Sequence, residues 1–348
     1  MMHHGDRGNC FDIIRHVAAF TVLFSHHFAL LGRGDPTVPN WDSYGFMAVA
    51  VFFSISGYLM PGAFQRSGNF LQFIRRRLRR LLPAMIVCAF LLTYVLGALY
   101  RETSLVEYLT SKWALRNFAM WSMFYAQPMP GVFADFIVPN AVNGSLWTLP
   151  IELACYLILG ATLSFGNPLQ AAMGLFIGSV LGTMWITHTG TGFSFYGVPL
   201  NYLFAFGLCF SAGSLLALTE RAWLPMRWHL LVFAFIWIWL LRGRPEINVF
   251  GTLGITVLTI VIGRSFSERL INGRFDISYG VYIYAFPIQQ LVINLVTRDV
   301  WTSMAISVVL TAAAGYLSYR FVERPFLRVR KAEPAHEVVP LAGAGAQA

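Results

Sequence analysis

Residues 11–31, FDIIRHVAAFTVLFSHHFALL, decide how the chain is read. A helix of about 20 residues crosses the hydrocarbon of a bilayer, and this run has that length and an apolar majority. It nevertheless carries Asp12, Arg15, His16, His26 and His27. Ionisable side chains at membrane depth are costly, so they turn towards a bundle interior or a watery cavity. At a helical 100° per residue, Arg15 and His26 lie about 20° apart around the axis and roughly 16 Å apart along it. Asp12 is about 60° from Arg15, so these three share a stripe, whereas His27, about 120° away, and His16 fall off it. Asp12 can then orient Arg15 at one membrane boundary, with His26 past the midplane. A structural stripe, with His26 on a neighbouring carbonyl, fits the same spacing. His27 reads as a packing or interfacial residue.

The rest of the chain extends the membrane reading. Charged residues make up 12% and apolar residues 57% of the 348, against about 25% charged in a soluble domain. Apolar runs at about 11–31, 45–62, 82–100, 146–165, 169–188, 197–218, 228–242, 247–263, 275–297 and 301–321 predict an all-α, polytopic transmembrane bundle of about ten spans. Residues 1–331 form one integral membrane domain, and 332–348 a disordered tail. The first run is too long, and lacks the small-residue exit, for a cleavable signal peptide. Between spans, 101–145 reads as an interfacial amphipathic helix and then a Pro/Gly/Asn-rich loop.

Charge sets the expected orientation. The net charge is +9, and of the 25 basic residues only Lys112 and Lys331 are lysine. The arginines cluster in short loops, six of them (Arg66, Arg75, Arg76, Arg77, Arg79 and Arg80) between the second and third spans. That is the positive-inside pattern, which puts both termini in the cytoplasm and excludes a nucleic-acid groove. Cys10, Cys88, Cys155 and Cys209 are isolated and show neither a disulfide framework nor metal-ligand spacing.

Two further stretches carry chemistry. RSGNFLQFIRRRLRRLLP, 66–83, holds Arg76 and Arg79, and Arg77 and Arg80, each three apart and so on one helical face. Such a run contacts anionic lipid headgroups, or receives a polyanionic ligand through paired guanidinium forks. NGSLWTLPIELACYLI, 143–158, holds Glu152, the one acid well inside an expected span. It is either a functional carboxylate or a protonated group bonded between helices.

Together these motifs resemble the acyltransferase-3 family of bacterial membrane O-acyltransferases. DIIRHVAAFTVLFSH holds the Arg-x10-His spacing from Arg15 to His26. VFFSISGYLM looks like the family's Phe-Phe-x-x-Ser-Gly at Phe52, Phe53, Ser56 and Gly57. FIRRRLRRLLP resembles its basic Arg-x-x-Arg segment. GSLWTLPIELACY resembles Trp-(Ser/Thr)-Leu-x-x-Glu through Trp147, Thr148, Leu149 and Glu152, with Tyr156 beyond. ISYGVYIYAFPI is similar to Ser-Tyr-x-x-Tyr-x-x-x-x-Pro at Ser278, Tyr279, Tyr282 and Pro287, and SYRFVERPF to the closing Glu-Arg-Pro at Glu323, Arg324 and Pro325. One position departs: Ala285 stands where the family often has histidine, so a second-histidine role does not transfer. Only a short tail follows the last span, so the family's fused hydrolase-like domain is not expected.

The resemblance implies an acyl-CoA co-substrate, acetyl-CoA foremost, entering from the cytoplasm, with no permanently bound cofactor and no metal. It also implies a carbohydrate or lipid-linked sugar acceptor and a bacterial inner-membrane location. Arg76, Arg77, Arg79 and Arg80 would bind the CoA phosphates, with Arg15 at the channel mouth. Ser56 and Gly57 would let the pantetheine arm pass between the first two spans. His26 would serve as general base on the acceptor hydroxyl, or as a covalent acyl relay. Glu152 would orient His26 or hold the acceptor. Trp147 and Tyr156 would stack on a sugar or simply pack, and Tyr279 and Tyr282 would line the substrate path. A proton-coupled transporter or exporter is the alternative that intramembrane His, Glu and Arg also permit.

Overall fold

The computed structural model describes residues 8–327 apart from 126, 191 and 272. The expected disordered tail, 332–348, lies outside the described residues, as do Arg328, Arg330 and Lys331. Ten helices among the described residues are long and apolar enough to cross a membrane. They are α1 (Phe11–Leu30), α2 (Tyr44–Gln65), α3 (Phe70–Leu99), α5 (Leu146–Phe165), α6 (Pro168–Thr189), α7 (Leu200–Leu218), α8 (Glu220–Leu241), α9 (Ile247–Ser265), α10 (Ser278–Val296) and α11 (Val300–Leu327). The chain is a multi-pass integral membrane protein. Between α3 and α5 lies the amphipathic helix α4 (Lys112–Ser122), where an interfacial helix is expected.

Two helices start well before their expected positions. The third begins at Phe70, because Asn69 caps it by accepting from the Gln72 N–H at 2.9 Å. The arginines are therefore its first turns and not a separate loop. Pro83 sits within the helix without ending it; a proline ring removes one N–H, which a surrounding bundle can tolerate. The short seventh span is extended to Glu220 through a 3₁₀ turn at Leu224–Met226.

Inner and outer helices differ in what they bury. In α2 and α10, 67% of the most apolar window is buried; in α6 and α8 the figures are 11% and 6%, which leaves those two facing lipid. The inner helices meet through small residues, as membrane helices do where apolar burial supplies little net drive. A Cβ on Gly57 would strike the Phe210 carbonyl of α7, and one on Gly213 the Ser54 carbonyl of α2. Ser214 Oγ closes the seam by donating to the Gly57 carbonyl at 2.9 Å. Gly280 and Gly315 bring α10 and α11 together in the same way.

Candidate active site

A cavity of about 980 Å³, including its open mouth, lies between α1, α2, α3, α5 and α10. Arg15, Arg66, Arg77 and Arg80 line it, facing Glu152 and an otherwise uncharged wall of Phe52, Ser56, Thr148, Tyr156, Tyr279 and Tyr282. The three-residue spacing that pairs Arg77 with Arg80 turns both inward. The same periodicity turns Arg76 and Arg79 outward: both are exposed, and Arg76 donates to the Arg66 carbonyl at 2.9 Å. Of the four arginines expected to act together, two therefore reach the cavity.

The cationic wall is held at a few points. Arg80 pairs with Asp276 at 2.7 Å in the segment leading into α10. Although burial works against it, the charges of Arg80 and Arg15 hold the Asp276 carboxyl well below the usual carboxylate range. Ser278 Oγ donates to the same carboxylate at 2.5 Å. The Arg77 Nε is buried with no hydrogen-bond partner, and Arg15 makes no ion pair among the described residues. Buried guanidinium donors left open are ready to receive an anion. The expected Asp12–Arg15 pair is not formed; Asp12 Oδ2 instead accepts from the Gly273 N–H at 3.0 Å, which ties α1 to the loop before α10.

Glu152 sits on the opposite wall, one turn before Tyr156, whose hydroxyl donates to its Oε1; Ser56 Oγ donates there too, at 3.4 Å. The expectation that Glu152 orients His26 is thus corrected, since its carboxylate is engaged by Tyr156 and Ser56. Gly57 is likewise a contact with α7, while its neighbour Ser56 reaches the cavity. Trp147 lies outside the cavity and packs on Tyr202, ring centroids 4.7 Å apart.

The three α1 histidines divide by hydrogen bonding. His16 Nδ1 donates to the Asp12 carbonyl at 2.7 Å and its Nε2 accepts from the Ile277 N–H at 3.2 Å, so both nitrogens serve the fold. His27 is fully buried. Its Nδ1 accepts from Gln289 Nε2 at 3.0 Å and its Nε2 donates to Ser303 Oγ at 2.9 Å, joining α1 to α10 and α11. His26 differs: Nδ1 meets Ser145 Oγ at 3.3 Å, and Nε2 has no partner among the described residues.

A local relay brings His26 to the cavity roof. Asn143 donates to the Ile283 carbonyl at 2.8 Å and accepts from the Ser145 N–H at 3.1 Å, pinning the loop before α5 onto α10. Gly144 is required there, because a Cβ would meet the Phe286 ring at 2.5 Å, the ring that also flanks His26. Tyr282 donates its hydroxyl proton to the Ser145 carbonyl at 2.9 Å, and its oxygen lies 2.5 Å from Thr148 Oγ1. Tyr282 and Thr148 are cavity residues, so one serine separates His26 from the cavity wall. Tyr279 also lines the cavity, donating to the Leu81 carbonyl at 2.9 Å. Ser145, Asn143, Arg66 and Asp276 were not singled out from sequence. Ser145 and Asp276 lie within two residues of recognised motifs, but nothing in their spacing marks them.

The fold and site define a multi-pass membrane enzyme with a cation-lined cavity entering from one end and a half-free histidine beyond its roof. Residues 9–320 match an acyltransferase domain, and the chain belongs to the acyltransferase-3 family. It is a membrane acyltransferase of the O-acetyltransferase kind, which sets aside the transporter alternative. It is 35% identical over 328 residues to an O-acetyl transferase of Shigella phage Sf6, covering 92% of this chain and 96% of that one. It is 25% identical to nodulation protein 10 of Rhizobium leguminosarum bv. viciae, covering 94% and 95% of the two chains. It is also 24% identical to the peptidoglycan O-acetyltransferase OatA of Listeria monocytogenes, over 82% of this chain and 52% of that longer protein. No solved structure matches the chain.

Proposed function

We propose that the protein transfers an acetyl group from acetyl-CoA to a hydroxyl of a carbohydrate acceptor, with His26 as general base. The observation that carries this reading is the cavity itself: Arg15, Arg66, Arg77 and Arg80 converge on one space whose far wall is hydrogen-bonded to the serine that holds His26. Four guanidinium groups against one lining carboxylate suit a ligand carrying several phosphate charges. A slender thioester arm passing Ser56 and Tyr156 would bring its carbonyl to the roof at Thr148 and Tyr282. That one relative is named for peptidoglycan favours a carbohydrate acceptor. The positive-inside charge pattern supports an arginine end and both termini in the cytoplasm, and the bacterial relative favours a bacterial inner membrane.

The step follows from the hydrogen bonding of His26. With Nδ1–H donating to Ser145 Oγ, Nε2 keeps its lone pair and can accept a proton. Nε2 removes the acceptor hydroxyl proton as that oxygen attacks the thioester carbonyl. The tetrahedral adduct collapses, the C–S bond breaks, and the leaving thiolate takes the proton back from the imidazolium. Acetyl ester and free CoA result. Asp35, on the loop after α1, is held near this turn by Ser25 Oγ, which donates to its carboxylate at 3.1 Å one residue before His26.

Positioned general-base catalysis contributes about 10²–10⁴-fold in rate. His26→Ala is expected to lose acetyl transfer by at least that factor while running as a monodisperse protein on size exclusion. Transfer at the wild-type rate by purified His26→Ala protein would exclude the assignment.

A further inference from the structure

A second polar pocket, distinct from the arginine cavity, opens at the end of the bundle where His26 lies. It occupies about 730 Å³, including its mouth, between α2, α6, α7 and α9. Asp42, Thr187, Asn201, Tyr202 and Asn248 supply its polar groups, and Phe46 an aromatic face. One Asp42 oxygen accepts from the Ser43 N–H at 2.6 Å. The side-chain amides of Asn201 and Asn248 and the hydroxyls of Thr187 and Tyr202 have no hydrogen-bond partner among the described residues. Burial raises the Asp42 carboxyl above its ordinary value, against the Ser43 hydrogen bonds that lower it.

This pocket is uncharged apart from Asp42, rich in free neutral donors and acceptors, and walled by aromatic rings. Neutral amides and hydroxyls match the alternating donor and acceptor pattern of sugar hydroxyls, while an aromatic face takes the apolar C–H side of a pyranose. The pocket also connects to the reaction centre. Tyr202 packs at a tilt against Trp147, centroids 4.7 Å apart, and Trp147 is two residues beyond Ser145, the partner of His26. On α1, Ser25 Oγ lies 3.1 Å from where a Gly45 Cβ would stand, so the start of α2, which carries Phe46 and follows Asp42, abuts the His26 turn.

We infer that this pocket is an acceptor subsite for a neutral sugar residue neighbouring the one acylated, with Asn201, Asn248, Tyr202 and Asp42 as its specificity-determining residues. The inference rests on the carbohydrate-acceptor reading above. It gives Trp147 a positioning role: the tryptophan ties the subsite wall to the loop that holds His26.

The test uses full-length protein in detergent on an array of defined bacterial oligosaccharides, first for direct binding and then for transfer from labelled acetyl-CoA. Asn201→Ala combined with Asn248→Ala is expected to weaken oligosaccharide binding at least about tenfold, the effect of losing two modest hydrogen bonds. KM for acetyl-CoA should stay as in the wild type. His26→Ala protein should bind the same oligosaccharide normally and transfer nothing. Tyr202→Phe, which keeps the ring and removes one hydroxyl, should weaken binding a few-fold and decides the matter if the double variant aggregates. Wild-type oligosaccharide affinity in the folded pocket variants, or an array on which the wild type binds no oligosaccharide, would overturn the subsite. Oligosaccharide binding that depends on Asn201 and Asn248 but leads to no acetylation would sink the transfer reading and leave the subsite standing.

Discussion

The two ends of the bundle are built from opposite chemistry. At one, four arginines converge on a cavity with a single lining carboxylate, and a buried Arg77 donor is left open. At the other, a pocket of amides, hydroxyls and rings holds one carboxylate and no cation. Fixed cations suit a polyanion, which they attract at long range, whereas neutral groups select by hydrogen-bond geometry. The difference teaches that a polyanionic donor and a neutral acceptor need not compete for one site. On the proposed reading the two ligands would meet across the cavity roof, and His26 lies just beyond that roof with one nitrogen on Ser145 and the other without a partner among the described residues.

The comparison breaks most readily on the arginine side. Arg77→Ala with Arg80→Ala is expected to raise KM for acetyl-CoA about 100-fold, the loss of two charge-assisted contacts. Arg76→Ala with Arg79→Ala should change it little, because both side chains point away from the cavity. Initial-rate kinetics at fixed ionic strength separate the pairs, and equal effects would erase the inward–outward distinction. A smaller effect tests the adjacent histidines. His27→Ala leaves one Gln289 N–H and one Ser303 lone pair without their partner in the interior, although each side chain keeps a second hydrogen bond, and this costs about 2 kcal/mol; it should lower the melting temperature in detergent while the folded protein keeps its KM values. A lost rate with unchanged stability would move the reactive role from His26 to His27.

The smallest effect concerns the tether of the cationic wall. The folded-state pKa of Asp276 is depressed, so its contribution to stability is fully present above the unfolded carboxylate value of about 3.9. It is lost as pH falls through the lower folded value. Thermal stability of the wild type should therefore drop between about pH 4 and more acid conditions more steeply than that of Asp276→Asn. Parallel pH profiles would mean that the Arg80–Asp276 pair does not stabilise the fold. Because both groups are partly exposed, the difference should be small.

Much of this was legible in the chain. Ten apolar runs gave ten spans, since the length needed to cross hydrocarbon is a one-dimensional property. Helical periodicity put Arg15 and His26 on one stripe and His27 off it, and the structure keeps Arg15 at the cavity and His26 near its roof. The same periodicity pairs Arg77 with Arg80 but does not say which of the two arginine pairs faces inward; that depends on where α10 and Asp276 lie. Ser145 and Asn143 stayed hidden because their roles come from a loop folded back onto α10, some 140 positions away in sequence. Glu152 was visible as an acid in a span, yet its partners Ser56 and Tyr156 could not be ranked against His26 without knowing how α2 packs on α5.

By itself, then, the sequence determined an all-helical membrane protein, its motif order, and the helical faces on which its unusual charges fall. Length, hydropathy and a fixed turn per residue are local quantities, and they survive any packing of the helices. Tertiary structure alone decided which histidine keeps a free nitrogen, which arginines share a cavity, and that a neutral pocket lies near the far end. Those facts depend on contacts between helices distant in the chain, where one glycine seam or one buried amide selects among faces that periodicity leaves equivalent.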